Sequence, residues 1–221
     1  MKVSAIIPAA GSGHRFGEAK QFKLLAGRPL LFHSLKPFLE SSMIQEVIVV
    51  VPDHQIDTVY RDLLTMSAGK PLKVIAGGAR RQDSVKNGVT ATVSSATLVC
   101  IHDAARPFVS ETLINNSITA CKTAEGAVVA LRSIATVKLS ESGIVKETLN
   151  REKIWLVQTP QTFRKDKLIQ ALDHADAKRL TATDESYFME AMGFSVALVQ
   201  GDINNFKITT MDDWKRAEYL I

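Results

Sequence analysis

The stretch P-A-A-G-S-G-H-R-F-G-E-A-K, residues 8–20, decides the predicted fold. It follows residues 3–7, a short apolar and β-branched run that is typical of a buried first strand. The stretch is therefore predicted to form a loop at the carboxyl end of a strand, which is where open α/β sheets bind ligands. Its small residues are Ala9, Ala10, Gly11, Ser12 and Gly13. Because they leave backbone N–H groups uncovered, we expect a loop that can approach phosphate oxygens closely.

The spacing of the glycines separates this loop from the two common phosphate-binding motifs. A dinucleotide-binding loop has a third glycine where this chain has Phe16, and the Gly-Lys-Ser/Thr sequence of a P-loop does not follow either glycine. What remains is a glycine loop followed by Arg15 and Lys20, two cations that could close over a triphosphate. An ordinary strand-to-helix turn with two solvated cations is the alternative at this point.

The composition is that of an ordinary globular domain. The chain has 221 residues, of which 46% are hydrophobic and 23% charged, so we expect one domain over residues 1–221 with one sizeable core. The formal charge of +4 suits anionic small molecules. We expect no nucleic-acid partner, because no dense Lys/Arg run with interleaved aromatic residues occurs.

The cysteines and the amino terminus indicate a cytoplasmic protein. Cys100 and Cys121 lack the spacing of metal ligands, and we expect both to be buried, reduced thiols. The amino terminus turns into the glycine loop after a few apolar residues, so we expect neither a secretory signal nor a membrane span.

Strand-like and helical patterns alternate along the first 132 residues. The predicted strands are residues 3–7, 47–51, 72–76, 98–101 and 127–131. This alternation predicts an α/β fold with a mainly parallel sheet and right-handed crossovers. Two more strands are predicted at residues 154–157 and 195–199.

The alternation is interrupted by a predicted β-hairpin. Residues 136–139 pair naturally with residues 144–147 across the turn S-E-S-G, within an arm at about residues 133–153. The hairpin has few large apolar residues of its own and cannot bury a face alone. Packing on a second subunit and packing on its own domain both remain open.

Polar residues gather in four loops that follow strand-like runs, at residues 9–20, 77–84, 102–107 and 158–163. In a parallel sheet these loops emerge at one edge and line one cleft. The candidates for a shared anion site are Arg15, Lys20, Arg81, Arg106, Arg151 and Lys207, with Asp103 as the acidic exception. Solvated surface charge is the alternative for each cation taken alone.

Several motifs together resemble the 2-C-methyl-D-erythritol 4-phosphate cytidylyltransferase family of bacteria and plastids. They are P-A-A-G-S-G-x-R at residues 8–15, Lys20-Gln21, G-G-x-x-R-x-x-S-V at residues 77–85, H-D-A-A-R-P at residues 102–107, Asn150-Arg151, T-P-Q-x-F at residues 159–163, Thr183-Asp184-Glu185 and N-F-K-I-T at residues 205–209. The resemblance covers essentially the whole chain in the family's order.

The resemblance implies a Rossmann-like α/β domain with helices on both faces and a protruding β-arm that helps to form a homodimer. It also implies transfer of CMP from CTP to 2-C-methyl-D-erythritol 4-phosphate. The products would be 4-diphosphocytidyl-2-C-methyl-D-erythritol and pyrophosphate, in the non-mevalonate route to isoprenoid precursors.

Roles for individual residues follow from the same resemblance. Arg15 and Lys20 would stabilise charge on the α-phosphate and the departing pyrophosphate, and Arg151 and Lys207 would position the methylerythritol phosphate. Gly78 and Ser84 fall in the segment that recognises cytosine and ribose. The positions around the acceptor phosphate, some contributed across the dimer, are Asp103, Arg106, Thr136 and Thr159. Ala79 and Ala135 stand where the family commonly has a polar or acidic residue, next to the base-recognition segment and the arm threonine.

The chemistry needs charge neutralisation more than a protein nucleophile. An incoming phosphate is already nucleophilic near neutral pH, and its difficulty is repulsion from the triphosphate. Cationic side chains and a divalent ion offset that repulsion, so we expect Mg²⁺, which binds phosphate oxygens with few protein ligands. Asp103 is a candidate for a direct or water-mediated ligand of that ion.

Other functions remain to be compared with this one. A sister enzyme acting on ribitol 5-phosphate would have similar loops, although the unbroken H-D-A-A-R-P motif favours the methylerythritol enzyme. A non-catalytic nucleotide-binding module would require the residues on the acceptor side to be coincidental. A nicotinamide dehydrogenase is disfavoured by Phe16 and by the lack of a well-placed acidic residue after residues 47–51.

Overall fold

The computed structural model describes residues 1–13, 16–64, 66 and 69–221. Its strands are β1 (Val3–Pro8), β2 (Leu24–Leu25), β3 (Arg28–Pro29), β4 (Ile44–Val51), β5 (Leu72–Ala76), β6 (Leu98–Ile101), β7 (Gly126–Arg132), β8 (Val137–Glu141), β9 (Ile144–Leu149), β10 (Trp155–Arg164) and β11 (Val196–Gln200). Its helices are α1 (Leu30–Glu40), α2 (Ile56–Leu64), α3 (Arg81–Ala91), α4 (Glu111–Ala120), α5 (Lys165–Lys178), α6 (Ser186–Ala191) and α7 (Met211–Leu220).

A seven-stranded sheet organises these elements, in the order β11-β7-β10-β6-β1-β4-β5. The pairs β1–β4, β1–β6, β4–β5 and β7–β11 are parallel, whereas β10 runs antiparallel to both of its neighbours. The predicted α/β fold with a mainly parallel sheet is therefore confirmed. The short strands β2 and β3 form a separate two-stranded sheet.

Helices cover both faces of the sheet because successive strand residues point to opposite sides. Ile7 of β1 belongs to a buried cluster with Leu35 of α1, and residues of α2 and α4 complete that cluster. The preceding residue, Ile6, belongs to a second buried cluster with Val85 of α3 and Leu168 of α5. Strand β1 is thus buried on both faces of the sheet.

One element differs from its prediction. Residues 158–163, predicted as a loop after a strand, lie inside β10, where Gln161 pairs with Ile101 of β6 in antiparallel register. The polar run containing Pro160 suggested a loop, but all six residues of the run are buried within the fold. Because β10 runs in the opposite direction, Thr159 still lies beyond the carboxyl end of β6.

The predicted arm is present as a separate hairpin of β8 and β9. Its turn contains Ser142 and Gly143 with φ values of 50° and 80°, the left-handed backbone typical of a tight hairpin turn. Nearly all residues of the two strands are exposed, and the hairpin is not part of the seven-stranded sheet. The arm therefore presents both of its faces to the outside of this chain.

Both cysteines are buried and unpaired, as predicted. Burial raises the pKa of the Cys100 thiol to about 11 and that of Cys121 to about 12, so both remain protonated near neutral pH. Among the helices of the described part of the chain, none combines the length and apolar character needed to cross a membrane.

His102, the first residue after β6, is fully buried and links its own loop to β10. Its Nε2 lies 3.0 Å from the carbonyl oxygen of Arg106, and its Nδ1 lies 3.0 Å from the hydroxyl of Thr159. A carbonyl oxygen only accepts hydrogen bonds, so Nε2 carries the proton and the Thr159 hydroxyl donates to Nδ1 of the neutral ring. Burial lowers the pKa of His102 to about 4, which keeps this neutral form in place.

The depressed pKa of His102 predicts an acid-sensitive fold. The unfolded ring takes up a proton below about pH 6.5, whereas the folded ring does so only near pH 4. Stability is therefore present above pH 6.5 and is lost as pH falls toward 4, by an amount on the order of 3 kcal/mol from this group. Denaturant unfolding of wild type and His102→Gln between pH 7 and pH 4 measures this loss.

We expect the stability difference between the two proteins to shrink steadily over that interval. His54→Gln, at an exposed position, is the matched control and should parallel the wild type. If the free energies of unfolding of wild type and His102→Gln changed in parallel with pH, the destabilisation by protonation of His102 would be contradicted.

Candidate active site

A cavity of about 430 Å³ opens at the carboxyl edge of the parallel strands, where the loops after β1, β5 and β6 meet. Ten of the residues predicted from the sequence line it: Ala9, Ala10, Gly11, Gly13, Lys20, Gly78, Arg81, Ser84, Asp103 and Lys207. Arg15, the other predicted cation of the first loop, lies outside the described residues. The structure therefore brings most of the predicted residues into one place.

The side chain of Gln21 anchors the backbone of the glycine loop through hydrogen bonds. The side-chain amide of Gln21 donates to the carbonyl oxygen of Ala9 at 2.7 Å and to that of Gly11 at 2.8 Å. Gly13 has a φ of +73°, and a Cβ at this position would collide with the carbonyl oxygen of Glu18. Only glycine fits this turn, and the two anchored carbonyl oxygens fix the backbone of the loop, as phosphate binding requires.

Lys20 lies on a short 3₁₀ turn, Lys20–Phe22, at the side of the cavity. Its side chain is almost buried, and its Nζ lies 5.6 Å from the centre of the Phe16 ring. Phe16 in turn packs against Trp214 of α7, with ring centres 5.6 Å apart. An aromatic residue in place of the third glycine thus forms the wall that supports Lys20.

The second loop approaches the glycine loop closely. A Cβ on Gly77 would collide with the Cβ of Ala10, so the two loops can only meet at a glycine. The backbone N–H of Gly78 donates to the hydroxyl of Ser84 at 3.1 Å. Helix α3 starts immediately after this loop, and the positive end of its dipole faces the cavity side of the sheet.

Asp103 is the centre of the charged part of the site. Its Oδ1 accepts from Nε of Arg81 at 3.2 Å, and its Oδ2 accepts from Nζ of Lys207 at 2.8 Å and lies 3.7 Å from Nε of Arg106. Burial alone would raise the pKa of Asp103, but the three cations outweigh it and hold that pKa well below its usual range. Asp103 therefore stays ionised and fixes the cations around it.

The described residues contain no group of three or more His, Cys, Asp or Glu side chains that could hold a metal ion. Asp103 is the one carboxylate among the described residues that line the cavity. Both of its oxygens already interact with cations, and Asp103 has no second carboxylate beside it in the described lining of the cavity with which to share a metal ion.

Two predicted acceptor-side residues lie beneath the cavity and do not line it. The hydroxyl of Thr159 accepts from the backbone N–H of Asp103 at 3.0 Å, and its own proton is used by His102. Nη1 of Arg106 donates to the carbonyl oxygen of Asn205 at 2.8 Å. In this structure both residues support the loop that carries Asp103.

Thr136 and Arg151 are not brought to the cavity of this chain. Thr136 is exposed next to the first strand of the arm, and Arg151 is exposed on the 3₁₀ turn Arg151–Lys153 that follows the arm. Nη1 of Arg151 donates to the carbonyl oxygen of Ile134 at 2.9 Å, which ties the turn to the base of the arm.

Sequence reasoning assigned no role to several buried polar residues in or next to the site. They are Gln21, His102, Glu185 and Asn205. Glu185 accepts from Nη1 of Arg81 at 2.6 Å, and Asn205 donates to the carbonyl oxygen of Thr159 at 2.8 Å. All four stand inside the motifs quoted above, which is the one signal in the sequence that could have identified them.

Comparison with known proteins agrees with this geometry. Residues 3–221 match the family model for 2-C-methyl-D-erythritol 4-phosphate cytidylyltransferase. A relative of that name from Geobacter metallireducens is 39% identical, with 100% of this chain and 98% of the relative covered. A relative of the same name from Halalkalibacterium halodurans is also 39% identical, covering 100% of this chain and 97% of the relative.

Two solved structures resemble the whole chain. The 4-diphosphocytidyl-2C-methyl-D-erythritol synthase of Anaerococcus prevotii has a TM-score of 0.89 at 30% identity, covering 99% of this chain and 97% of its own. The 2-C-methyl-D-erythritol 4-phosphate cytidylyltransferase of Thermus thermophilus has a TM-score of 0.82 at 36% identity, covering 100% and 98%. A family match over 219 residues, from 3 to 221, and relatives at this identity leave one conclusion: the chain belongs to the 2-C-methyl-D-erythritol 4-phosphate cytidylyltransferase family.

Proposed function

We infer that this protein transfers CMP from CTP to 2-C-methyl-D-erythritol 4-phosphate and releases pyrophosphate. The observation that carries the inference is the cavity itself, which combines the glycine loop, the nearly buried Lys20 and the Lys207 held by Asp103. Family membership over the whole chain supports the same reaction. The product would be 4-diphosphocytidyl-2-C-methyl-D-erythritol, an intermediate on the way to isoprenoid precursors.

The reaction we propose is a direct displacement. A phosphate oxygen of the acceptor attacks the α-phosphorus of CTP, a new P–O bond forms, and the bond to the β-phosphate oxygen breaks as pyrophosphate leaves. Charge grows on the α-phosphate oxygens and on the leaving group, so fixed cations in a poorly hydrated site are most effective there. Lys20 is 9% exposed and lines the cavity beside the glycine loop, and we assign it this role together with Arg15.

The acceptor side of the site is built around Lys207. Its Nζ is held 2.8 Å from Asp103, and we propose that it contacts the acceptor phosphate. Arg106 and Thr159 bond to protein groups beneath the cavity, so we propose that they support Asp103 and do not themselves contact substrate. Gly78 and Ser84, which also line the cavity, would bind the base and ribose of CTP.

We propose that Mg²⁺ enters the site with CTP. Magnesium keeps most of its ligands as water and phosphate oxygens, and a site with one carboxylate already bonded to cations suits that mode of binding. The ion would supply further neutralisation of the phosphate charge. The cationic side chains of the chain still have to orient the triphosphate.

The arm is proposed to complete the site of a second copy in a homodimer. Leu139, Ile144 and Val145 on the arm are 50%, 69% and 57% exposed, so the arm carries apolar surface that its own chain leaves uncovered. Thr136 and Arg151 flank the two strands of this arm at its base, outside the cavity of their own chain. In our proposal the arm delivers both residues to the partner's acceptor site.

We also propose that the chain acts as a single cytidylyltransferase domain in the cytoplasm. The two buried, unpaired cysteines are consistent with a reducing compartment.

One assay tests the proposed reaction against its main alternative. Purified protein is supplied with CTP, Mg²⁺ and either 2-C-methyl-D-erythritol 4-phosphate or ribitol 5-phosphate, and pyrophosphate is measured. We expect release with the methylerythritol phosphate and little with the ribitol phosphate. Release only with ribitol 5-phosphate would replace the substrate, and no release with either would contradict catalysis.

Replacing Lys20 by alanine should lower kcat by roughly 10²- to 10³-fold, because loss of a charge partner of the transition state has that effect. Steady-state kinetics with both substrates measure it. Lys36→Ala, on the exposed side of α1, is the matched control and should keep wild-type turnover. If Lys20→Ala retained near-normal kcat, Lys20 would not stabilise the transition state.

The proposed crossing of the arm can be tested by complementation. Lys20→Ala and Arg151→Ala chains, each nearly inactive alone, are co-expressed with different tags, and the mixed dimer is isolated. If Arg151 acts in the partner's site, one site of the mixed dimer contains both residues, and about half of the wild-type activity should return. If Arg151 acted in its own chain, each site would lack one residue and the mixed dimer would stay inactive.

A further inference from the structure

Glu185 is a buried carboxylate that lies next to the site but does not reach the cavity. It precedes α6, its exposed fraction is 0%, and it is not among the residues that line the cavity. Its Oε1 accepts from Nη1 of Arg81 at 2.6 Å, whereas its Oε2 is buried with no hydrogen-bond partner. A carboxylate placed in this way does not contact a bound ligand, and Arg81 is its hydrogen-bonded link to the cavity.

Arg81 connects Glu185 to the cavity. While Nη1 of its guanidinium binds Glu185, Nε binds Oδ1 of Asp103 at 3.2 Å. The other oxygen of Asp103 accepts from Nζ of Lys207. A continuous series of charged contacts thus runs from the protein interior to the cation assigned to the acceptor phosphate.

Because Arg81 is shared between Glu185 and Asp103, one oxygen of Asp103 remains available to bind Lys207. A guanidinium is a planar fork that prefers to bind one carboxylate through two parallel N–H groups. With Glu185 holding Nη1, Arg81 meets Asp103 through Nε and leaves Oδ2 to Lys207. Without Glu185, Arg81 is free to bind both oxygens of Asp103 and displace Lys207, or to turn into the cavity.

We propose that Glu185 is a positioning residue for cytidylyl transfer, which anchors Arg81 so that Asp103 holds Lys207 in place for the acceptor phosphate. This inference rests on the proposed function, because it takes the role of Lys207 from there. Glu185 itself contacts neither substrate.

Stability alone is a poor explanation for this residue. A buried ion pair often adds little net stability, since removing two charges from water offsets their attraction. Glu185 adds a second unfavourable contribution, because its Oε2 is desolvated without a hydrogen bond. Burial raises the pKa of the Glu185 carboxyl, in keeping with this cost, and the contact with Arg81 partly opposes that rise.

The experiment compares Glu185→Gln with Glu190→Gln, the same chemical change at an exposed position on α6. For Glu185→Gln we expect kcat to fall about 10- to 100-fold, because displacement of a positioning cation by about 1 Å has effects of that size. The KM for the acceptor should change less than about threefold, since the cluster loses a negative charge and still attracts phosphate. Glu190→Gln should match the wild type.

Thermal unfolding of each variant is measured in parallel, and kcat is calculated per folded molecule. If Glu185→Gln does not fold, the double variant Arg81→Met/Glu185→Gln replaces it, because it removes both charges of the pair. We expect this double variant to fold and to show the same low kcat.

Wild-type kcat in either folded variant would overturn the positioning role, and so would a loss confined to the KM of the acceptor. An equal loss in Glu190→Gln would overturn it as well. A wild-type protein that releases no pyrophosphate from CTP with the methylerythritol phosphate would instead overturn the proposed function, and this inference with it. The two failures are therefore distinguishable within one set of measurements.

Discussion

The ion cluster around Asp103 is the interaction on which the site depends. One buried carboxylate holds Arg81, Arg106 and Lys207, which come from three distant parts of the chain. Without that carboxylate, three like charges would face each other in a partly buried region, where repulsion is stronger than in water. Counting Glu185, the cluster has three cations and two anions, a net charge of +1. It is thus rigid and still attractive to an anion.

Strand β10 determines how the nucleotide side of the site, with the glycine loop, meets the acceptor side, with Lys207. The parallel strands β1 and β6 deliver the glycine loop and Asp103 to one edge of the sheet, and β10 reaches the same edge from the opposite direction. It places Thr159 under the backbone of Asp103. Asn205 then bonds to the carbonyl oxygen of Thr159 and brings the segment that carries Lys207 alongside. One reversed strand therefore joins the nucleotide side to the acceptor side.

Much of the fold could be predicted from the sequence because hydrophobic periodicity is local. The run at residues 47–51 and the strand–helix alternation around it identify the parallel sheet without any knowledge of contacts. The interior of β10 could not be predicted in that way. Gln158, Thr159 and Gln161 are polar, yet all three are buried, and each forms at least one side-chain hydrogen bond to a neighbouring segment.

In the site, too, residues within a local sequence pattern could be predicted, whereas residues that act through distant contacts could not. Gly13 and Lys20 stand in a loop whose composition already indicates anion binding, so sequence reasoning reached them. Glu185 binds Arg81 across 104 residues, and no spacing rule connects two such positions. Among the described residues, six have a buried side-chain atom without a hydrogen-bond partner, and four of the six lie in or beside the Asp103 cluster: Arg106, Gln161, Glu185 and Asn205. A buried polar atom without a partner opposes folding, so the packing around the Asp103 cluster does not maximise the stability of the chain.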